Sequence, residues 1–286
     1  MEIKKIAVRD FDCRQIFECG QSFRFELATD GWWQGVAGGK MIAVRNDDSF
    51  LYIKGASEAD VRNYWVQYFD LERDYGALKK DFAAADPYLA EAVEAGGGIR
   101  ILKQEPFETL ISFIISANNN IPRIRGCIER LCRNFGAPVA CPWDAGKTFY
   151  AFPTPEALAA ATAEEISVKC HTGYRSAYIV ESARRYLETG GAMTDLRGYA
   201  GVGPKVEACV ALFAGLRTDA FPVDVWVRRV LEEFYFDHRP TEKEVLAFVS
   251  ERFGKMAGFA QQYLFYWRRL VDENGLNTQD IGAKTV

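Results

Sequence analysis

The chain has 286 residues, 49% of them hydrophobic, which allows one large domain or two to three small ones with packed cores. No apolar run is long enough to span a bilayer, and residues 1–12 lack the apolar stretch of a signal peptide, so a cytoplasmic protein with no membrane partner is expected. The formal charge of −4 argues against a nucleic-acid ligand, but only weakly, because such binding depends on local patches and backbone donors.

The first part, to about Gly55, reads as strands. Phe23, Phe25 and Leu27 alternate with Arg24 and Glu26, a two-residue period. Turn signals follow at Asp30-Gly31, Gly38-Gly39 and Asn46-Asp47-Asp48, and the apolar runs between them predict an antiparallel meander. Helical patterns then take over. Ser57 and Asp60 resemble a capping box, followed by an apolar stripe of Val61, Tyr64, Trp65 and Tyr68. A further helical stretch covers 75–95, and Gly96-Gly97-Gly98 marks a boundary. Beyond it, Pro106 suits the first turn of a buried helix through the apolar run 110–115. Segments 174–187 and 245–253 read as helices, and the polar stretch 277–286 is expected to fray. The class is α+β, with a strand-rich unit at 1–98 joined to a helical region at 99–286.

Seven cysteines are present without a CxxC pair, beside two histidines. That pattern supports neither a zinc site nor an iron–sulfur cluster, and reduced thiols fit a cytosolic compartment.

The segment 196–231 carries the chemistry. Gly201-Val202-Gly203 lies between two helical patterns, and the next helix is expected to start near Pro204. Exposed N–H groups at such a helix start can hold a phosphate, as in a helix-hairpin-helix clamp on a DNA backbone. From GxG alone, a plain helical connection is the favoured reading. Lys205 falls in the first turn, where the positive helix end and partial burial favour the neutral, nucleophilic amine. Asp224 is placed to cap the helix after it. A solvated lysine and an ordinary N-cap remain open for these two residues.

GVGPKVEAC at 201–209 followed by PVDV at 222–225 resembles the lysine-containing helix-hairpin-helix DNA glycosylases, and more narrowly the 8-oxoguanine DNA glycosylase/lyase family. Four further segments carry the resemblance in the family's order: CGQSFRF at 19–25, SANNNIPRIRG at 116–126, HTGYR at 171–175 and AGFAQQYLF at 257–265. The compact chain, without a basic extension, is similar to the bacterial branch. The resemblance implies a TBP-like N-terminal antiparallel sheet and mainly α-helical glycosylase domains.

The resemblance also implies roles. Lys205 attacks C1′ of the damaged nucleotide and Asp224 stabilises the developing positive charge on the sugar. The resulting imine promotes β-elimination on the 3′ side. Asn118 fills the gap left by the flipped base, Tyr174 wedges beside it, and Arg123 and Arg175 hold the orphaned cytosine through its acceptors. Gly20 offers a backbone carbonyl to N7, which accepts in guanine but donates in 8-oxoguanine. Phe265 and Cys209 sandwich the base and Gln261 reads its Watson–Crick edge. Gly201 and Gly203 bring the hairpin backbone to a phosphate. Carbonyls of Arg197, Tyr199 and Val202 are positioned for a structural monovalent or divalent cation, with no cofactor required. The sequence departs from the pattern at Trp226, where some members place a histidine near a phosphate. Core packing is the ordinary alternative for Tyr174, Phe265 and Cys209, and a polar turn for the triple asparagine.

The implied partner is duplex DNA carrying 8-oxoguanine opposite cytosine, bound by a monomer that associates with the nucleoid. An alkylated-base glycosylase and a non-catalytic helix-hairpin-helix DNA-binding protein are the alternatives. The paired Lys205 and Asp224, with the Gly20 motif, argue against both.

Overall fold

The computed structural model describes residues 2–273; the expected fraying of 277–286 lies outside them. Five strands form one antiparallel sheet: β1 (Ile3–Ala7), β2 (Phe25–Leu27), β3 (Trp33–Ala37), β4 (Lys40–Asn46) and β5 (Phe50–Lys54). Its order, β1-β5-β4-β3-β2, is the predicted meander with β1 added beyond β5. The register pairs Trp33 with Val44 and Val44 with Ile53, which lines apolar side chains along one face. That face packs on helix α1 (Cys13–Glu18) and helix α2 (58–68), where Phe17 stacks on Phe25 at 4.2 Å and Trp65 is fully buried. The alternation at 23–27 is only partly realised. Strand β2 begins at Phe25, Phe23 joins the helical core, and Leu27 is exposed at the sheet edge.

The helical part comprises α3 (Tyr75–Ala85), α4 (Pro87–Ala95), α5 (Pro106–Ser116), α6 (Ile121–Phe135), α7 (Pro155–Ala160), α8 (Ala163–Cys170), α9 (Arg175–Glu188), α10 (Pro204–Phe213), α11 (Val225–Val230), α12 (Glu242–Arg252) and α13 (Ala257–Glu273). A small hairpin, β6 (Pro138–Ala140) and β7 (Thr148–Tyr150), follows α6. The helical stretch predicted over 75–95 is two helices. Pro87 disfavours the α conformation of Asp86, whose backbone is extended and whose carboxylate caps α4 at Leu89 N.

Helix α5 is the hub: from Phe107 to Ser116 every residue except Glu108 is buried. Helices α3 and α4 precede the glycine run at 96–98, yet their core residues belong with the helical part; Phe82 meets Tyr263 of α13 edge-on at 6.3 Å. The sheet unit is fastened to this core by polar contacts as well. Arg100 donates to the carbonyls of Arg9, Asp10 and Asp70, and Arg125 to those of Phe17 and Phe25. These charge-assisted bonds satisfy backbone acceptors that would otherwise be buried without partners. All seven cysteines are buried free thiols, and no helix among the described residues is long and apolar enough to cross a membrane.

Candidate active site

A cleft of about 690 Å³ opens where α1, α5, α10, α11 and α13 converge. Its lining includes Gly20, Asn118, Lys205, Cys209, Asp224, Trp226, Gln261 and Phe265, drawn from five segments far apart in sequence.

Helix α10 presents Lys205 and Cys209 one turn apart on the same face. It starts as predicted, with Pro204 in the first turn and Gly203 as N-cap. Lys205 is half-buried and its Nζ lies 5.3 Å from the centre of the Phe113 ring. Burial raises the Cys209 thiol above its ordinary value, with Lys205 opposing, so Cys209 contributes a neutral sulfur.

Asp224 caps α11, as its position in the sequence implied. Its Oδ1 accepts from Trp226 N at 3.0 Å and Val227 N at 2.9 Å, and Oδ2 has no hydrogen bond within the described residues. One oxygen thus anchors the helix. Burial raises its carboxyl pKa above the ordinary 3.8; the two backbone N–H groups, Lys205 and Arg269 act the other way. Trp226 is half-buried, with the Arg229 guanidinium 4.9 Å from its ring centre.

On the far side of the cleft, α13 carries Gln261 and Phe265 four residues apart on one face. Gln261 is buried, and its Oε1 has no hydrogen-bond partner. A buried amide oxygen left unpaired costs free energy unless a ligand donates to it. Gly20 has φ +78°, and a Cβ there would stand 3.5 Å from the Phe265 ring, so the glycine keeps a slot open against that ring.

Asn118 sits between α5 and α6 with φ +49°, a left-handed turn that separates it from both helices. Its neighbours have the local roles expected of a polar turn: Asn119 donates to Ile115 O, and Asn120 caps α6 at Arg123 N. Arg123 is exposed on the first turn of α6. Tyr174 is 60% exposed, too much for a core aromatic, and its ring lies 4.4 Å from the Arg175 guanidinium. Arg175 is buried and committed to the asparagine loop, donating to the carbonyls of Ala117 and Asn118 at 3.0 Å each. Arg175 thus abuts Asn118, Tyr174 packs on its guanidinium and Arg123 follows the Asn120 cap; none of the three lines the cleft.

The hairpin lies at the cleft's edge. Gly201 has φ +77°, and a Cβ would meet the Tyr178 ring at 2.6 Å. Gly203 is extended with nothing within 4 Å of a Cβ, so the fold itself does not require a glycine there. Around the turn, the Tyr199 carbonyl accepts from Val202 N at 3.2 Å, whereas the Arg197 and Val202 carbonyls take part in no turn hydrogen bond. Among the described residues no group of histidine, cysteine and carboxylate side chains could hold a metal.

Two family models cover most of the chain. Residues 4–110 match the 8-oxoguanine DNA glycosylase N-terminal domain, and residues 111–255 match the HhH-GPD superfamily of base excision DNA repair proteins. The chain belongs to the 8-oxoguanine DNA glycosylase/lyase family. A probable N-glycosylase/DNA lyase from Methanothermobacter thermautotrophicus is 31% identical over 69% of this glycosylase and 70% of its own length. The 8-oxoguanine glycosylase/lyase of Clostridium acetobutylicum, solved with duplex DNA containing cytosine opposite 8-oxoguanine, is 36% identical. It superposes with a TM-score of 0.88 over 95% of this chain and 99% of its own. The MBOgg1 complex with a low-affinity DNA ligand is 38% identical, also with a TM-score of 0.88, over 95% and 100%.

The family motifs gave roles to eight residues of the glycosylase's cleft; Gln262, inside one motif but given no role, and Phe113 and Arg269, outside them, line it too. Arg269 lies one further turn along the Gln261–Phe265 face of α13, with its guanidinium 5.6 Å from the Phe265 ring centre. The i, i+4, i+8 spacing was the available signal.

Proposed function

We propose that this glycosylase excises 8-oxoguanine paired with cytosine from duplex DNA, using Lys205 as nucleophile and Asp224 as the electrostatic partner, and then cleaves the strand. The reading is carried by the convergence of an amine, a carboxylate with one unpaired oxygen, an unpaired amide and an aromatic face on one cleft. A base flipped into it would stack on Phe265 against Cys209 and donate from its Watson–Crick edge to Gln261. The Gly20 carbonyl would accept from N7–H of 8-oxoguanine and face a lone pair in guanine.

The amine lone pair of Lys205 forms a bond to C1′ as the glycosidic bond breaks, and the base leaves with the bonding pair and takes up a proton. The C1′–O4′ bond then opens, O4′ accepting a proton from the attached nitrogen, which leaves the protonated imine. Ionised Asp224 stabilises the positive charge that develops on the sugar. Loss of the C2′ proton from the protonated imine then expels the 3′ phosphate by β-elimination. Asn118 would occupy the vacated stack with Tyr174 beside it. Arg123 and Arg175 would meet the orphaned cytosine, Arg175 from its place behind the asparagine loop. The hairpin at Gly201 and Gly203 would grip a phosphate through backbone N–H groups, with Trp226 at the rim. The carbonyls of Arg197, Tyr199 and Val202 would hold a cation that supports this grip; the two without turn hydrogen bonds favour that assignment. We further assign monomeric action, division of the chain near 98, and a bacterial cytoplasmic setting to this reading.

Single-turnover excision on duplexes with 8-oxoguanine or guanine opposite each of the four bases tests it. The expected result is excision of 8-oxoguanine, fastest opposite cytosine. Comparable release of unmodified guanine would contradict it.

A further inference from the structure

The last carbonyls of a helix have no partner within it. At the end of α1, immediately before Gly20, four successive carbonyls are each taken by a side chain. Ile16 O accepts from Gln21 Nε2, Phe17 O from Arg125, Glu18 O from Arg269 and Cys19 O from Gln262 Nε2. The Gln262 bond is the shortest, 2.7 Å, spans 243 residues and is fully buried; Gln262 is 1% exposed. On the other flank, Gln21, besides its bond back to α1, is fixed by partners outside it. Its Oε1 accepts from Leu102 N and its carbonyl from Gln104 Nε2. Between these anchors lies Gly20, at φ +78°, and its carbonyl accepts no hydrogen bond from the described residues.

We propose that Gln262 is a positioning residue for damage discrimination: its hydrogen bond to Cys19 O holds the Cys19–Gly20 peptide so that the Gly20 carbonyl faces N7 of the flipped purine. The inference rests on the Gly20 role proposed above. The physical case has two parts. Peptide planes are rigid, so Gly20 φ and ψ alone orient the Gly20 carbonyl relative to the Cys19–Gly20 plane that Gln262 holds. Glycine resists rotation about them less than any other residue, and removing the Gln262 donor releases the Cys19 carbonyl itself, although the Cys19 thiol and the Glu18 carbonyl stay held. Gln262 also sits on α13 next to Gln261 and three residues before Phe265. One rigid helix therefore sets the N7 acceptor, the edge-reading amide and the stacking ring in a common frame. Arg269, on the same helix, holds the preceding carbonyl.

Abasic DNA has no base for Gly20 to read, so discrimination and strand cleavage separate in the test. Gln262→Met keeps length and loses the donor; Gln262→Ala loses the donor with less bulk. In a Lys205→Gln background, the ratio of Kd values for duplexes with guanine and with 8-oxoguanine opposite cytosine should narrow about tenfold, the scale of one buried hydrogen bond. With Lys205 present, 8-oxoguanine excision should fall about tenfold while cleavage of a preformed abasic site stays within about twofold. An unchanged Kd ratio, or excision and abasic cleavage falling together in both variants, would overturn the proposal. Wild-type protein that does not prefer 8-oxoguanine over guanine would overturn the underlying reading of Gly20 itself.

Discussion

Asp224 caps a helix and, in the proposed reaction, also meets the sugar cation, and two substitutions separate these roles. In Asp224→Asn the amide oxygen can still accept from Trp226 N and Val227 N, the bonds now at 3.0 and 2.9 Å. Asparagine and aspartate are near equal as N-caps. Burial already disfavours the ionised carboxylate here, so the neutral amide should leave stability at pH 7 equal or slightly higher. In Asp224→Ala the cap is gone, which costs about 1 kcal/mol, or about 2 °C of melting temperature in a chain of this size. Both variants lose the charge that meets the sugar cation, a loss of about a hundredfold or more in excision rate. Thermal unfolding and single-turnover excision on the same preparations measure the two effects. If Asp224→Asn excised at the wild-type rate, or if Asp224→Ala matched Asp224→Asn in stability, the division of labour between Oδ1 and Oδ2 would be wrong.

The raised Asp224 pKa predicts that the acid limb of the excision rate lies above 3.8, because the ionised form is lost at higher pH than for an ordinary carboxylate; a limb at or below 3.8 contradicts this. The same group binds its proton more tightly when folded. Its contribution to stability is therefore full below 3.8 and lost as pH rises through the raised value, a slope that Asp224→Asn should abolish in pH-dependent denaturation. Gly203→Ala should fold as well as wild type, because its backbone is extended and its surroundings are open, yet bind duplex DNA more weakly; unchanged affinity would remove the phosphate contact from that position. Gly201→Ala should instead unfold at lower denaturant, by roughly 1 kcal/mol or more, since it combines positive φ with the Tyr178 ring. Arg123→Ala should relax the preference for cytosine opposite the lesion, read as the ratio of excision rates, and an unchanged ratio would count against its contact.

What the sequence made legible was local. The Ser57–Asp60 capping box, the starts of α5 and α10 at Pro106 and Pro204, and the Asp224 cap all form as read, because each depends on residues within one helical turn. The break at Asp86 was also written locally, as an aspartate before a proline, but the apolar pattern on both sides masked it. Arg175 illustrates a limit of motif reading. Its type and position were clear, but most of its donors go to the carbonyls of 117 and 118, which lie 57–58 residues away. The anchoring of Cys19 by Gln262 leaves no trace in spacing, since both residues fall within quoted segments but meet only through the fold. The packing of α3 and α4 with the helical core is similarly tertiary; the glycine run at 96–98 shows where the chain bends and says little about which core it joins.

The central claim is that Lys205 becomes covalently attached to DNA. Borohydride reduction during reaction with a duplex carrying one 8-oxoguanine opposite cytosine tests it most directly, by trapping the imine as a stable amine. Wild-type protein should give a protein–DNA adduct, mapped to Lys205, and Lys205→Gln should give none while still binding the duplex. No adduct with the wild-type protein, or undiminished trapping with Lys205→Gln, would contradict the account.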